Sequence, residues 1–411
     1  MLVPGKVRLM GEVEVSSSKN AILPILAASL LSDETKIIKN VPDIRDVTVI
    51  TELIQYLGVK VDYRDRSLHF SGGAVRETPP YELVRLIRAS FLVMGPLLAK
   101  KGSVRVSLPG GCAIGTRPID LHLKGFEALG ASINVTGGDV IAKANQLYGN
   151  HVYLDYPSVG ATENIMMAAS LAQGTTYIEN AALEPEIVDL ANFMNSMGAR
   201  ITGAGSNVIK IEGVEKLSST DYSPIPDRIE AGTYMVAAAA TAGDIIIKNI
   251  IPEHLKAVTA KLLESNAIVE ENNGHIRVYR QQDIKPVYIK TQPYPGFPTD
   301  MQAQFMAYLS LARGSSVITE SVFENRFMHV AELLRMGAKI KTEGRTAIIK
   351  GCRELTGARV RATDLRAGAA LMIAGLTARG STNIMNSEHI DRGYENIVAK
   401  LNGLGANIRR V

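Results

Sequence analysis

The chain has 411 residues, 46% of them apolar and 21% charged, and its 45 basic and 41 acidic side chains leave a net charge of only +4. That composition can bury a full core in roughly two or three domains, while the near balance of charge, the absence of tryptophan and of any Lys/Arg run, and 5% aromatic content argue against a nucleic-acid partner. The longest apolar runs, such as residues 21–31, are too short to cross a bilayer, and the first fifteen residues lack a signal-type apolar core. A cytoplasmic protein without a membrane partner is expected. Its two cysteines, Cys112 and Cys352, can build neither a disulfide framework nor a metal site.

In chain order, one pattern recurs six times. A segment rich in Ala, Leu and Met comes first: residues 20–31 (NAILPILAASLL), 87–99, 161–172, 230–242, 301–312 and 366–378. These are apolar on nearly every side, which predicts buried helices. A β-rich segment follows each one: TKIIKNV, GSVRVSL, TTYIENA, DIIIKNI, SSVITES and STNIMNS. Each unit closes on an amphipathic helix that stops at a marker residue, Gly58, Gly130, Gly198, Asn266, Gly337 or Gly405, spaced 72, 68, 68, 71 and 68 residues apart. Glycine and asparagine tolerate the left-handed conformation that ends a helix, so the marker predicts a C-terminal cap and a strand after it.

Such regularity is an architecture. Six buried helices cannot all line one sheet, which predicts two clusters of three units with helices inside and sheets outside. The alternative is a solenoid, but solenoid repeats are usually shorter, roughly 20 to 45 residues. Residues 216–227 (KLSSTDYSPIPD) read as the linker.

One segment does not fit the repeat. Residues 108–121 read LPGGCAIGTRPIDL and hold Cys112 behind two glycines, with Arg117 five residues on. The glycines and proline present the thiol on a bend, and a nearby guanidinium favours the thiolate and offers a fork to phosphate or carboxylate. This points to chemistry on an anionic substrate, against the plainer reading of a buried cysteine in a tight turn.

The repeat and the Cys112 loop, together with SSSKNAILPILAASLL, YPSVGATENIMMAA, FPTDMQAQF, FENRFMHV, ATDLRAGAAL and HIDRGYENI, closely resemble the enolpyruvyl transferase family over essentially the whole chain. The resemblance implies an inside-out α/β barrel of two domains and six repeats, three per domain, with the active site in the interdomain cleft. Residues 19–225 would form the first lobe; residues 1–18 and 226–411 would form the second. It also implies transfer of the enolpyruvyl group of phosphoenolpyruvate to the 3′-hydroxyl of UDP-N-acetylglucosamine, with release of phosphate, as the first committed step of peptidoglycan synthesis. No cofactor and no metal are implied.

That reaction needs an acid for the methylene carbon, a base for the hydroxyl and fixed cations around phosphate and carboxylate. By resemblance, Cys112 serves proton delivery or product release, and Asp300 is the base; the plainer reading of Asp300 is a helix N-cap. Lys19, Arg117 and Arg392 would grip phosphate, with Arg88, Arg326 and Arg366 nearby, although each taken alone reads more readily as a surface charge than as a ligand. Asn20 and Val322 would meet the amino sugar. Arg117, Pro118, Ile119, Asp120 and Leu121, with Ser158, Val159 and Gly160, would hold uridine and diphosphate, the last three through backbone N–H groups at a helix start. Tyr156 stands where some relatives carry lysine, which puts one diphosphate contact in doubt.

Competing motifs are missing. GxxxxGK[ST], GxGxxG after a strand, HExxH and CxxC do not occur, and the SxxK of residues 16–19 lacks the partners of a β-lactamase. Two rival functions remain: transfer to shikimate 3-phosphate, and a catalytically silent binder of UDP-sugar.

Overall fold

The computed structural model describes residues 1–108 and 118–410. It divides into two compact units, one of residues 17–108 and 118–225, the other of residues 1–16 and 226–410. Each has its own apolar core.

Both units repeat one plan three times. In the first, Lys19–Ala28, Met94–Lys101 (entered through a 3-10 turn, Arg88–Val93) and Val159–Ala169 are the inner helices. In the second they are Arg228–Ala240, Gln302–Leu309 and Leu365–Thr377, which pack on one another. Every residue of Gln302–Leu309 is buried. A helix with no polar face must be enclosed on all sides. The enclosing layer comes from amphipathic helices such as Arg45–Leu57 and Pro185–Ser196, and from sheets with alternating burial, as in Thr175–Glu179.

All six markers take the predicted left-handed conformation, and a strand follows every one but Gly405, after which only an isolated bridge from Arg409 to Leu2 forms among the described residues. Gly58, Gly130, Gly198, Asn266, Gly337 and Gly405 have φ of 112°, 93°, 99°, 69°, 88° and 97°. The cap turns the chain out of the helix and into the outer strand.

Among the described residues there are six sheets, one for each β-rich segment. Five share a pattern: the central strand pairs in parallel on one side and antiparallel on the other. Asp244–Lys248, for example, lies between Met10–Glu14 (parallel) and His275–Tyr279 (antiparallel). The N-terminal segment therefore completes sheets in the second unit, and Leu2–Pro4 does the same for Ser381–Met385. Residues 216–227 are more than a linker. Thr220–Tyr222 forms a parallel edge strand on Lys36–Ile38, because two or three backbone pairs suffice to hold an edge that composition does not advertise.

Helix contacts demand glycine at one position above others. A Cβ on Gly95 would lie 2.4 Å from the backbone oxygen of Asn164, and the Gly95 N–H donates to Asn164 Oδ1 at 2.9 Å. Gly95→Ala is expected to cost about 1–3 kcal/mol by overpacking. Gly403→Ala, which meets nothing within 4 Å at the end of Ile397–Gly403, should be neutral or stabilise by about 0.4–1 kcal/mol. Urea unfolding of the two variants checks the sign; equal effects would refute the close-approach account.

Candidate active site

In the unit of residues 1–16 and 226–410, the polar centre is a carboxylate between two guanidiniums. Asp300 lies in the 3-10 turn Thr299–Met301 that leads into Gln302–Leu309. Arg326 Nη2 donates to its Oδ1 at 2.7 Å, and Arg366 Nε and Nη2 donate to its Oδ2 at 3.2 and 3.0 Å. The arginine side chains are 6% and 4% exposed, the carboxylate 26%. Burial pushes the Asp300 carboxyl up, but Arg366 and Arg326 together outweigh it and hold it well below the usual carboxylate range. The N-cap reading of Asp300 is not what this structure has: Pro298 precedes the turn, no side chain caps it, and the carboxylate faces the arginines instead.

Surrounding groups fix each arginine. Arg326 Nη1 donates to Thr299 Oγ1 at 2.8 Å, and that hydroxyl donates to Glu320 Oε2 at 2.8 Å. Glu320, buried, also accepts from the Thr291 hydroxyl and from the backbone N–H of Val322 and Phe323. One carboxylate thus sets both the Arg326 fork and the loop bearing Val322. Arg366 sits in the first turn of Leu365–Thr377, whose N-cap Asp364 accepts from the Arg366 and Ala367 N–H groups. Its guanidinium lies 5.3 Å over the Tyr394 ring, and Nη1 has no hydrogen-bond acceptor among the described residues. A buried, unsatisfied guanidinium nitrogen is costly, and an anion would relieve it. Tyr394 in turn meets the Thr233 hydroxyl at 2.9 Å. Arg392 ends the 3-10 turn Ser387–Arg392 in the same unit, half-buried.

The other unit carries the remaining predicted residues that the structure describes. Lys19, at the start of Lys19–Ala28, is buried and paired with Asp46 at 2.8 Å, so its charge is already compensated in part. Asn20 follows it, half-buried, and Arg88 opens the turn Arg88–Val93. Pro118 and Ile119 lead into Asp120–Ala128, where Asp120 and Leu121 form the first turn. Ser158 caps Val159–Ala169 by accepting from Ala161 N at 3.4 Å, which leaves Val159 and Gly160 in the first turn with N–H groups that have no intrahelical partner. Tyr156 is exposed just before them. Cys112 and Arg117 lie outside the described residues. Among those residues no group of three or more His, Cys, Asp or Glu side chains could hold a metal ion, and no helix is long and apolar enough to cross a membrane.

Sequence reasoning missed Asp46, Thr299, Glu320 and Tyr394. Thr299 and Tyr394 stood inside FPTDMQAQF and HIDRGYENI, but nothing local distinguishes a buried partner from its neighbours.

Comparison with known proteins places this arrangement. Residues 3–401 match the family described as EPSP synthase (3-phosphoshikimate 1-carboxyvinyltransferase). The chain is 58% identical over 419 residues to UDP-N-acetylglucosamine 1-carboxyvinyltransferase 2 of Carboxydothermus hydrogenoformans, covering 100% of this chain and 99% of that one. It is 57% identical over 402 residues to UDP-N-acetylglucosamine 1-carboxyvinyltransferase 1 of Caldanaerobacter subterraneus subsp. tengcongensis, covering 98% and 97%. Among solved structures, the enolpyruvyl transferase NikO from Streptomyces tendae superposes with a TM-score of 0.90 at 26% identity, over 99% of this chain and 98% of that one. An EPSP synthase from Acinetobacter baumannii shares the fold, with a TM-score of 0.76 at 19% identity over 99% and 98%. With two inside-out α/β units of three repeats each, a family match over nearly its full length and relatives more than half identical, the chain belongs to the enolpyruvyl (1-carboxyvinyl) transferases.

Proposed function

We propose that this protein transfers the enolpyruvyl group of phosphoenolpyruvate to the 3′-hydroxyl of UDP-N-acetylglucosamine and releases phosphate, a step of peptidoglycan synthesis carried out in the cytoplasm. The observation that carries the reading is the Asp300 carboxylate held ionised between Arg326 and Arg366, beside a guanidinium nitrogen without an acceptor among the described residues. The acceptor named by the highly identical relatives selects the sugar nucleotide over shikimate 3-phosphate.

The reaction runs by addition and elimination. The sugar hydroxyl forms a bond to C2 of phosphoenolpyruvate while its proton passes to Asp300 and a proton is delivered to C3; C3 then loses a proton as the C2–O bond to phosphate breaks. A carboxylate stabilised by two arginines is a weak base, so proton removal accompanies C–O bond formation, which makes the attacking oxygen acidic. Cys112 is assigned to C3 protonation or product release. Lys19, Arg88, Arg117, Arg366 and Arg392 supply charge for the phosphate and carboxylate, and Arg326 orients Asp300. Asn20 and Val322 are assigned to the amino sugar. Arg117, Pro118, Ile119, Asp120 and Leu121 take the uridine, and Ser158, Val159 and Gly160 the diphosphate.

Phosphate release from phosphoenolpyruvate, measured with UDP-N-acetylglucosamine and separately with shikimate 3-phosphate, tests the assignment. Turnover with the first alone is expected; turnover with the second alone, or with neither, overturns it. Asp300→Asn should lower kcat by roughly 10² to 10⁴ while UDP-N-acetylglucosamine still binds within a few-fold in calorimetry. Because the two guanidiniums hold the carboxyl ionised well below the ordinary range, the acid limb of kcat/KM that belongs to this group should also lie below that range.

Thiol labelling separates the two cysteines. Burial raises the Cys352 thiol, which donates to the backbone oxygen of Ser310 at 3.2 Å and so carries little nucleophilic thiolate. An epoxide bearing a phosphonate, such as fosfomycin, is therefore expected to inactivate the enzyme with a single adduct at Cys112, read by peptide mass mapping. Label on Cys352, or full activity after complete labelling of Cys112, would remove Cys112 from the reaction.

A further inference from the structure

His122 lies one residue beyond the segment assigned to the uridine, and its environment is more specific than that of a packing residue. The ring is 8% exposed and meets Phe91 edge-on, with centroids 5.2 Å apart. Its Nδ1 stands 2.9 Å from Asn164 Nδ2. The Asn164 amide cannot be turned over: Oδ1 accepts from the Gly95 N–H at 2.9 Å, and Nδ2 donates to the Phe91 carbonyl at 3.1 Å. The nitrogen facing the ring is therefore a donor, so Nδ1 must accept and the imidazole proton must sit on Nε2. Burial, with the Arg88 charge nearby, pushes the ring down to about 3, which keeps it neutral.

That Nε2–H has no acceptor among the described residues. The Cε1–Nε2 edge lies against the start of Val159–Ala169: a Cβ on Gly160 would come within 3.2 Å of His122 Cε1 and 3.4 Å of Nε2. The first turn of this eleven-residue helix offers its own unpaired N–H groups at its positive end. A donor on a side chain enclosed but for one edge and a helix N-terminus lie side by side, where no described acceptor answers them.

We infer that His122 is a further binding residue, whose Nε2–H donates to a phosphate oxygen of a diphosphate seated on the N-terminus of Val159–Ala169, with Asn164 as the positioning residue that fixes its tautomer. The inference rests on the reading of Ser158, Val159 and Gly160 as the diphosphate segment; only the rest of the ligand depends on the wider function. Glycine at position 160 follows from the same geometry, because a side chain there would press on the donor edge of the ring.

The test uses the full chain and three probes: UDP-N-acetylglucosamine, UDP and inorganic pyrophosphate. His122→Asn places an amide where Nδ1 was and nothing at Nε2, whereas His122→Gln restores an N–H near Nε2. Calorimetry should show Kd for all three probes raised roughly ten- to hundred-fold in the first variant, as for a lost bond to a charged acceptor, and recovery to within about three-fold in the second. Equal binding by wild type and His122→Asn, or equal impairment of both variants, overturns the inference. The wild-type protein gives an independent reading: in ¹⁵N NMR the His122 ring should carry its proton on Nε2 and shift on adding pyrophosphate. A proton on Nδ1, or an unmoved signal at saturation, also overturns it. If pyrophosphate and UDP bind through His122 but UDP-N-acetylglucosamine is not turned over, the proposed function fails and the inference stands.

Discussion

Helices with no polar face impose the organisation of this protein. An apolar cylinder must be enclosed along its whole length, so the only places where its chain can present charge are its ends. Many of the residues proposed for the reaction sit at the start of an inner helix or of the turn leading into it: Lys19 and Asn20, Arg88, Ser158 with Gly160, Asp300 and Arg366. Helix starts carry unpaired N–H groups and a partial positive charge. A fold built from enclosed helices thus gathers unpaired N–H groups at the start of each inner helix, and the sequence varies what side chain each start adds.

The Asp300 cluster shows how such a position gathers and balances charge. Two guanidiniums buried to within a few per cent need a counter-charge, and Asp300 supplies it while keeping a quarter of its side chain open. The same contacts that make burial tolerable keep the carboxylate ionised and aimed. Glu320 extends the order one layer outward, through Thr299 to Arg326 and through backbone N–H groups to Val322. Structural and chemical demands coincide here, so a substitution at Glu320 would disturb the site without touching a substrate.

His122 and Asn164 follow a related logic with neutral groups. Gly95 lets two inner helices approach closely, the approach places Asn164 between two backbone groups, and Asn164 then dictates which imidazole nitrogen carries the proton. A packing constraint is converted into the direction of a hydrogen-bond donor.

The repeat, the inner helices, the left-handed markers and the outer strands were legible in the sequence because each depends on contacts within a few residues: a helix that ends at Gly198 or Asn266 does so through its own last turn. Candidate residues for an anion could be named from FPTD, SSSK and the Cys112 loop, since these segments are short and unlike their surroundings. Partners were not. Asp300 meets Arg326 and Arg366 across 26 and 66 residues, Lys19 meets Asp46 across a helix boundary, and Thr220–Tyr222 pairs with a strand near the other end of its unit. Short edge strands and buried ion pairs are decided by what the completed fold brings together, and neither leaves a periodicity in the chain. The sequence by itself therefore determined the repeating architecture and the kind of chemistry, while tertiary structure alone decided that Asp300 is a clamped carboxylate rather than a helix cap, and which way His122 donates.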